Sequence, residues 1–339
     1  MKSIPELIYD TRRNDDQRSY LGASSIGYSC DRRLWMAFRW CTRPEFDGRM
    51  LRLFNRGHRE EEVFISELKR ICSGAVMADD PDTGKQFEFE ALNGHIQCHL
   101  DGVAFGIPMD GVDKEQAHLL EFKTLSDKSF RDLESNGLSV SKPVYYAQIQ
   151  LCMHLAELEA CLFLAVNKNN DELYAERVEY NPDFAADIMN RGERIVFAPS
   201  PPDRIGSPAW YECKFCPLYD TCHNGIIPDA NCRTCCHSTP LANGTWHCEK
   251  HARTISSDEQ RVGCGNHIFH PDLIDAELVE GNPEYILYRD RNGNVIANGA
   301  YVPKSDSDEV FIFDSKAMEG KHIDTICHNR IRQAAEMAR

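Results

Sequence analysis

A chain of 339 residues, 42% hydrophobic and 27% charged, has globular composition and a length that predicts two domains, or one large domain with an appendage. Its net charge of −15 excludes a generic nucleic-acid coat, no apolar run approaches the roughly 20 residues that cross a bilayer, and Met1-Lys2-Ser3-Ile4-Pro5-Glu6 lacks a secretion signal's basic and apolar segments. The expected setting is a reducing cytoplasm, without membrane association, where fifteen cysteines point to metals rather than disulfides.

Residues 1–20 are polar and read as a loosely held arm. A helix is predicted over 24–40, with Ile26, Leu34, Trp35 and Phe38 as anchors, and a second over 50–72, interrupted near Gly57. Short strands follow at 87–91, 94–100, 103–107 and 118–124, with Asn93-Gly94 marking a hairpin. A helix near 142–158, strands at 160–166 and 173–180, and a helix near 182–196 lead to a Pro-rich connector at 199–208. Cysteine is dense from 213 to 267. Segments 284–290 and 294–300 flank Asp290-Arg291-Asn292-Gly293-Asn294 as a further hairpin, and the last 20 or so residues read as a helix. The Gly-Lys pairs at 84–85 and 320–321 lack the pattern of a phosphate-binding loop, which excludes an ATP-driven motor.

Four segments carry the chemistry. Arg56-Gly57-His58-Arg59-Glu60-Glu61-Glu62 lies on a predicted helix, and Asp101 ends a strand before the turn residue Gly102. Alternation puts Glu121 and Lys123 on one face of the 118–124 strand, and Tyr145-Tyr146-Ala147-Gln148-Ile149-Gln150 opens the next helix. Hard cations such as Mg²⁺ or Mn²⁺ prefer carboxylate and carbonyl oxygens, so Asp101, Glu121, the Phe122 carbonyl and Glu61 form a candidate metal set. Lys123 beside them is placed to orient a water and to stabilise charge growing on a phosphate.

That ordered set resembles the PD-(D/E)XK nuclease superfamily, in the branch holding RecB-type domains and phage lambda-type exonucleases, over about residues 20–225. The resemblance matches Gly57 to Glu61 to the family's Gly-x-x-x-Glu helix, with Glu60 and Glu62 as neighbours and His58 outside the spacing. It matches Asp101, Glu121 and Lys123 to the core, and Gln148 to a residue that supports the site, with Tyr145 a weaker counterpart. It implies an α/β fold, a restriction-endonuclease-like core of mixed β-sheet flanked by helices. The implied activity is a Mg²⁺- or Mn²⁺-dependent DNA exonuclease of phage-type recombination or repair, partnered by DNA and by a recombination or annealing protein. An endonuclease or flap nuclease, and a non-catalytic metal-braced module binding DNA or protein, are the competing readings.

Cys213-Lys214-Phe215-Cys216 and Cys222 give C-x2-C-x5-C, and Cys30 is an upstream partner for a four-thiolate cage holding iron–sulfur or zinc. The resemblance to AddB-type iron–sulfur nucleases implies a [4Fe–4S] cluster on Cys30, Cys213, Cys216 and Cys222, closing a nuclease domain of residues 1–225. Beyond it, Cys232-x2-Cys235, Cys248-x2-His251 and Cys264-x2-His267 each begin 16 residues after the last. This period predicts a small zinc-binding C-terminal module over 226–339. The favoured ligands are Cys232, Cys235, Cys248 and His251, with Cys264 as substitute for His251; two sites drawing on Cys236, His237, His247 or His270 stay open. Residues 1–70 hold 14 Lys+Arg against 11 Asp+Glu, and Arg32, Arg33, Arg49, Arg52, Arg56 and Arg59 are candidates for phosphate contacts. Trp35, Trp40, Tyr145 and Tyr146 are candidates for stacking on bases.

Overall fold

The computed structural model describes residues 2–14, 17–299 and 310–327. In chain order the first elements are α1 (Ile4–Asp10), β1 (Leu21–Gly22), α2 (Ala23–Ile26), α3 (Asp31–Phe38) and α4 (Gly48–Ile71). Strands β2 (Val76–Met77), β3 (Glu88–Ala91), β4 (Ile96–His99), β5 (Gly102–Ala104) and β6 (His118–Leu125) follow. Then come α5 (Asp127–Ser141), α6 (Pro143–Ala156), β7 (Ala160–Asn167), β8 (Leu173–Glu179) and α7 (Pro182–Phe197). The remainder is α8 (Tyr211–Lys214), α9 (Tyr219–His223), β9 (Ser238–Pro240), β10 (Trp246–Cys248), β11 (Arg253–Ile255), α10 (Ser257–Val262), β12 (Glu277–Gly281), β13 (Tyr285–Arg289), β14 (Val295–Gly299), β15 (Val310–Phe313) and α11 (Ser315–Met318).

These elements form two compact units that interleave in sequence, Met1–Tyr28 with Glu45–Glu193, and Ser29–Pro44 with Arg194–Arg339, whereas the sequence reading draws one boundary at 225. Unit 1 is mixed α/β. Its main sheet runs β2-β5-β6-β7-β8, with β6 and β7 parallel and the other pairs antiparallel. Phe64, Ile65 and Leu68 of α4 share a core with Leu120 and Phe122 of β6 and Leu162 of β7. Burial on both faces explains why β7 reads as a nearly continuous apolar run. A second sheet, β1-β4-β3, contains the hairpin at Asn93, whose φ of 52° suits asparagine.

Several elements differ from the sequence expectation. The polar arm contains α1, fixed by a capping box between Ser3 and Glu6 and packed on α4. The single helix over 24–40 is two helices. At Gly27 a Cβ would lie 2.6 Å from the Val144 backbone, and the Cys30 sulfur starts α3 by accepting from the Arg33 N–H at 3.4 Å. Helix α4 is continuous through Gly57, because one glycine costs only about 1 kcal/mol against the turns on either side. Helix α5 was not anticipated: Gly137, at φ 72°, interrupts the spacing of Phe130, Leu133 and Leu138.

Unit 2 holds two small sheets, β11-β10-β9 and β12-β13-β14-β15. The predicted hairpin is β13 and β14, its turn secured by Asp290 Oδ1 accepting from the N–H groups of Asn292 and Asn294 at 2.9 and 2.8 Å. The outer strands β12 and β15 escaped the sequence reading; β15 pairs parallel with β14, which no local turn announces. Ile227, Phe269, Ile286, Tyr288, Ile296 and Ile323 build the core of this unit. Of the predicted terminal helix, residues 328–339 lie outside the described residues.

Candidate active site

Asp101 and Glu121 come together because β4 hands the chain to β5 through Gly102, and β5 pairs with β6. Gly102, at φ 156°, is needed there: a Cβ would fall 2.6 Å from the Met77 carbonyl oxygen. Asp101 Oδ2 accepts from the Phe122 N–H at 2.7 Å, which ties the strand end to β6. Glu121, 1% exposed, is paired with Lys123 on the same strand face and accepts from Gln148 Nε2 of α6 at 3.0 Å. Lys123 Nζ lies 5.0 Å from the centre of the Tyr145 ring.

The electrostatics follow from this burial. Desolvation pushes the Asp101 carboxyl well above the usual range, and Glu121 adds to it while Lys123 opposes it. Glu121 is also raised, chiefly by burial, against the lowering effect of Lys123. For Lys123 burial acts to lower the pKa, but Glu121 and Asp101 outweigh it and hold the ammonium form firmly. Glu61 contributes further negative charge to both carboxylates.

Glu61, Asp101 and Gln148 line a cavity of 770 Å³ together with Arg18, Tyr20 and His99; Glu121 sits behind the lining. His58 Nδ1 stands 3.4 Å from Glu61 Oε2. Tyr20 and His99, joined by a 3.0 Å hydrogen bond between Oη and Nε2, were given no role from sequence. His99 precedes Asp101 by two residues, so strand alternation was a usable signal; Tyr20 arrives through the long-range parallel pairing of β1 with β4.

Fit to a divalent cation can be judged from the donor set. Three carboxylates, Glu121 buried and Asp101 and Glu61 partly buried, face a single ammonium group, and this excess of hard anionic oxygen suits Mg²⁺ or Mn²⁺. The oxygens are meanwhile occupied by protein donors, and among the described residues no three His, Cys, Asp or Glu side chains are already gathered as a metal site.

In unit 2, Cys30 meets the C-x2-C-x5-C segment. The Cys213 thiol is pushed up by burial and then by Cys30, Cys222 and Cys216. Ser29 donates to Glu212, tying the segment before Cys30 to the one before Cys213. Cys30, Cys213, Cys216 and Cys222 are the donor type of a thiolate-bound cluster or zinc, while among the described residues no three such side chains are gathered as a metal site. The fifteen cysteines, all among the described residues, form no disulfide with one another.

Trp40 is corrected: at 3% exposed it packs and does not offer a face to a base, and Trp35, whose better reading from the sequence is packing, is 0% exposed. The Trp35 indole donates to the Ala198 carbonyl at 2.9 Å. Tyr146 packs against Phe184, with ring centres 5.1 Å apart. Arg56 donates to the Lys168 carbonyl at 3.2 Å and Arg32 to that of Pro202 at 3.1 Å, so both are partly engaged within the fold.

No family model and no curated protein matches the chain. Among solved structures it is similar to the crystal structure of SSO0001, at 15% identity and a TM-score of 0.35, over 64% of this chain and 95% of that one. It is also similar to LHK-Exo in complex with dAMP, at 14% identity and a TM-score of 0.37, over 56% of this chain and 90% of that one. A third likeness is to an alkaline exonuclease from Laribacter hongkongensis, at 15% identity and a TM-score of 0.32, over the same shares, 56% and 90%. No family follows from likenesses this distant. Among the described residues no helix is long and apolar enough to cross a membrane.

Proposed function

We propose that this chain is a Mg²⁺- or Mn²⁺-dependent deoxyribonuclease that hydrolyses phosphodiester bonds at DNA ends, in recombination or repair of the phage type. The observation that carries the reading is the Asp101–Glu121–Lys123–Gln148 cluster beside the cavity lined by Glu61. Glu61, Asp101, Glu121 and the Phe122 carbonyl would hold the cation. When bound, it polarises the phosphate and lowers the pKa of a water.

The protein's own groups have separable tasks. The Phe122 N–H fixes Asp101 through Oδ2, and Gln148 fixes Glu121 through Oε2. Lys123, kept protonated by its carboxylate neighbours, supplies positive charge where negative charge develops on the phosphate oxygens. Tyr145 packs against Nζ and limits its rotamers. In unit 2, Cys30, Cys213, Cys216 and Cys222 would hold a [4Fe–4S] cluster that braces the fold. DNA is the partner this site requires, and a recombination or annealing protein is the further partner of an end-processing enzyme.

The test uses protein purified without oxygen, end-labelled linear DNA and closed circular DNA, with Mg²⁺ or Mn²⁺ and with Lys123→Ala in parallel. Loss of linear DNA alone, absent in the variant, is the expected result. Cutting of circles would move the reading to an endonuclease. No cleavage of either substrate by a folded, metal-loaded protein would replace it with a binding module.

A further inference from the structure

Unit 2 holds a second group of ligand-type side chains that the nuclease reading leaves unused. Cys232, Cys235, Cys248, Cys264, His251 and His237 line one cavity of 370 Å³. They arrive from separate elements: Cys232 opens a 3-10 turn (Cys232–Thr234), Cys248 ends β10, and Cys264 follows α10.

The Cys235 sulfur accepts from the Cys236 thiol and from the N–H groups of Ile268 and His237. Ligating groups are commonly fixed by such outer hydrogen bonds. Cys232 Sγ lies 3.6 Å from the Glu259 carbonyl oxygen, and both residues line the cavity.

Two further observations bear on the ligand. His237, 8% exposed, carries a buried Nε2 with no hydrogen-bond partner in the wall of this cavity. Lys250 and Arg253 also line it, each paired with a carboxylate, Glu284 at 2.6 Å and Glu259 at 2.7 Å. His267 also lines the cavity, with Nε2 2.8 Å from the Asn231 carbonyl oxygen. Among the described residues no three His, Cys, Asp or Glu side chains are already drawn into a closed cage.

The geometry points to a structural Zn²⁺ site formed by Cys232, Cys235, Cys248 and Cys264, with His251 beside the fourth sulfur and not in its place. Cys264 and His251 reach the cavity side by side, with Nε2 3.6 Å from Sγ, and of the two the softer thiolate is the ligand zinc takes there. Four soft thiolates in tetrahedral array select zinc and leave no position for water, so the site holds unit 2 together and does no hydrolysis.

The test is zinc content of the full chain purified without added metal, followed by zinc-edge X-ray absorption, which iron does not disturb. About one zinc per chain with sulfur alone near ~2.3 Å is expected. His251→Ala should leave that shell unchanged, Cys264→Ser should lose sulfur from it, and Cys248→Ser should release the metal. A nitrogen at ~2.0–2.1 Å that disappears in His251→Ala would overturn the all-thiolate assignment. Zinc retained in Cys248→Ser but lost in Cys216→Ser would place it in the other cysteine cage, and absence of zinc would remove the site. None of these readouts depends on nuclease activity.

Discussion

Glu121 in unit 1 and Arg233 in unit 2 are each 1% exposed, yet their charges are met by different chemistry. Glu121 lies against Lys123, Gln148 and the partly buried carboxylate of Asp101, so its neighbourhood keeps an excess of negative charge. Arg233 lies among ring faces: its guanidinium is 3.9 Å from the Trp40 ring and 4.7 Å from that of Trp246. It donates to the Phe38 carbonyl and to Gln260 Oε1, both at 2.8 Å. Burial, with Arg261 and Arg39 nearby, holds it well below the usual guanidinium range. The contrast teaches that a buried charge by itself does not mark a site. Unit 1 gathers like charges around a cavity, where an outside cation would complete them; unit 2 satisfies its cation from within.

The largest expected effect tests the first half of that contrast. Lys123→Ala should lower turnover by roughly 10²–10³-fold, the usual cost of removing a preorganised charge-stabilising group. DNA affinity measured in EDTA should stay unchanged. A loss smaller than tenfold in a protein of unaltered Tm would reduce the cluster to an internal salt bridge.

Unit 2 should respond to acid through His267. Burial holds this ring at about 4 against an ordinary 6.5, so between those values the unfolded chain binds a proton that the folded one refuses. Stability is therefore full above pH 6.5 and falls as the pH drops, by about 3 kcal/mol at pH 4. Urea unfolding at pH 7 and pH 4 reads the difference, and His267→Asn should flatten it. Unchanged acid sensitivity in the variant would mean that another group carries the effect. A smaller loss, about 2 kcal/mol by the same method, is expected for Arg233→Lys, because an ammonium lacks the planar face that stacks on Trp40 and Trp246. Equal stability would show that the rings contribute only packing.

How far these regions were legible in the sequence follows from the range of the interactions. Glu121 and Lys123 share a strand face by simple alternation, and the Asp101 turn is local, so the core of the carboxylate cluster could be read directly. The break after α2 could not, since Gly27 is constrained by Val144, more than a hundred residues away. Tyr20 reaches the cavity through a parallel pairing that no turn signals. A buried arginine among tryptophans looks, as a sequence, like a solvated one, so nothing local marks Arg233 as buried or Trp40 as the ring it lies against.

The smallest effect asks whether the unit 1 site is held rigidly. Glu61 lies one helical turn after Gly57 on α4, and a glycine there invites the idea of a hinge. The structure gives a different account: the helix runs unbroken from an Asp47 cap, whose Oδ1 accepts from the Met50 N–H at 2.7 Å. No atom comes within 4 Å of where a Gly57 Cβ would sit. Gly57→Ala should therefore stabilise the protein by about 1 kcal/mol, a Tm gain of roughly 2–4 °C, and leave the nuclease rate as it was. A gain in Tm with a fall in rate would mean that Glu61 must move during turnover. The carboxylates of unit 1 would then be assembled by helix motion, not set in place by the fold as the Asp101 and Glu121 hydrogen bonds are.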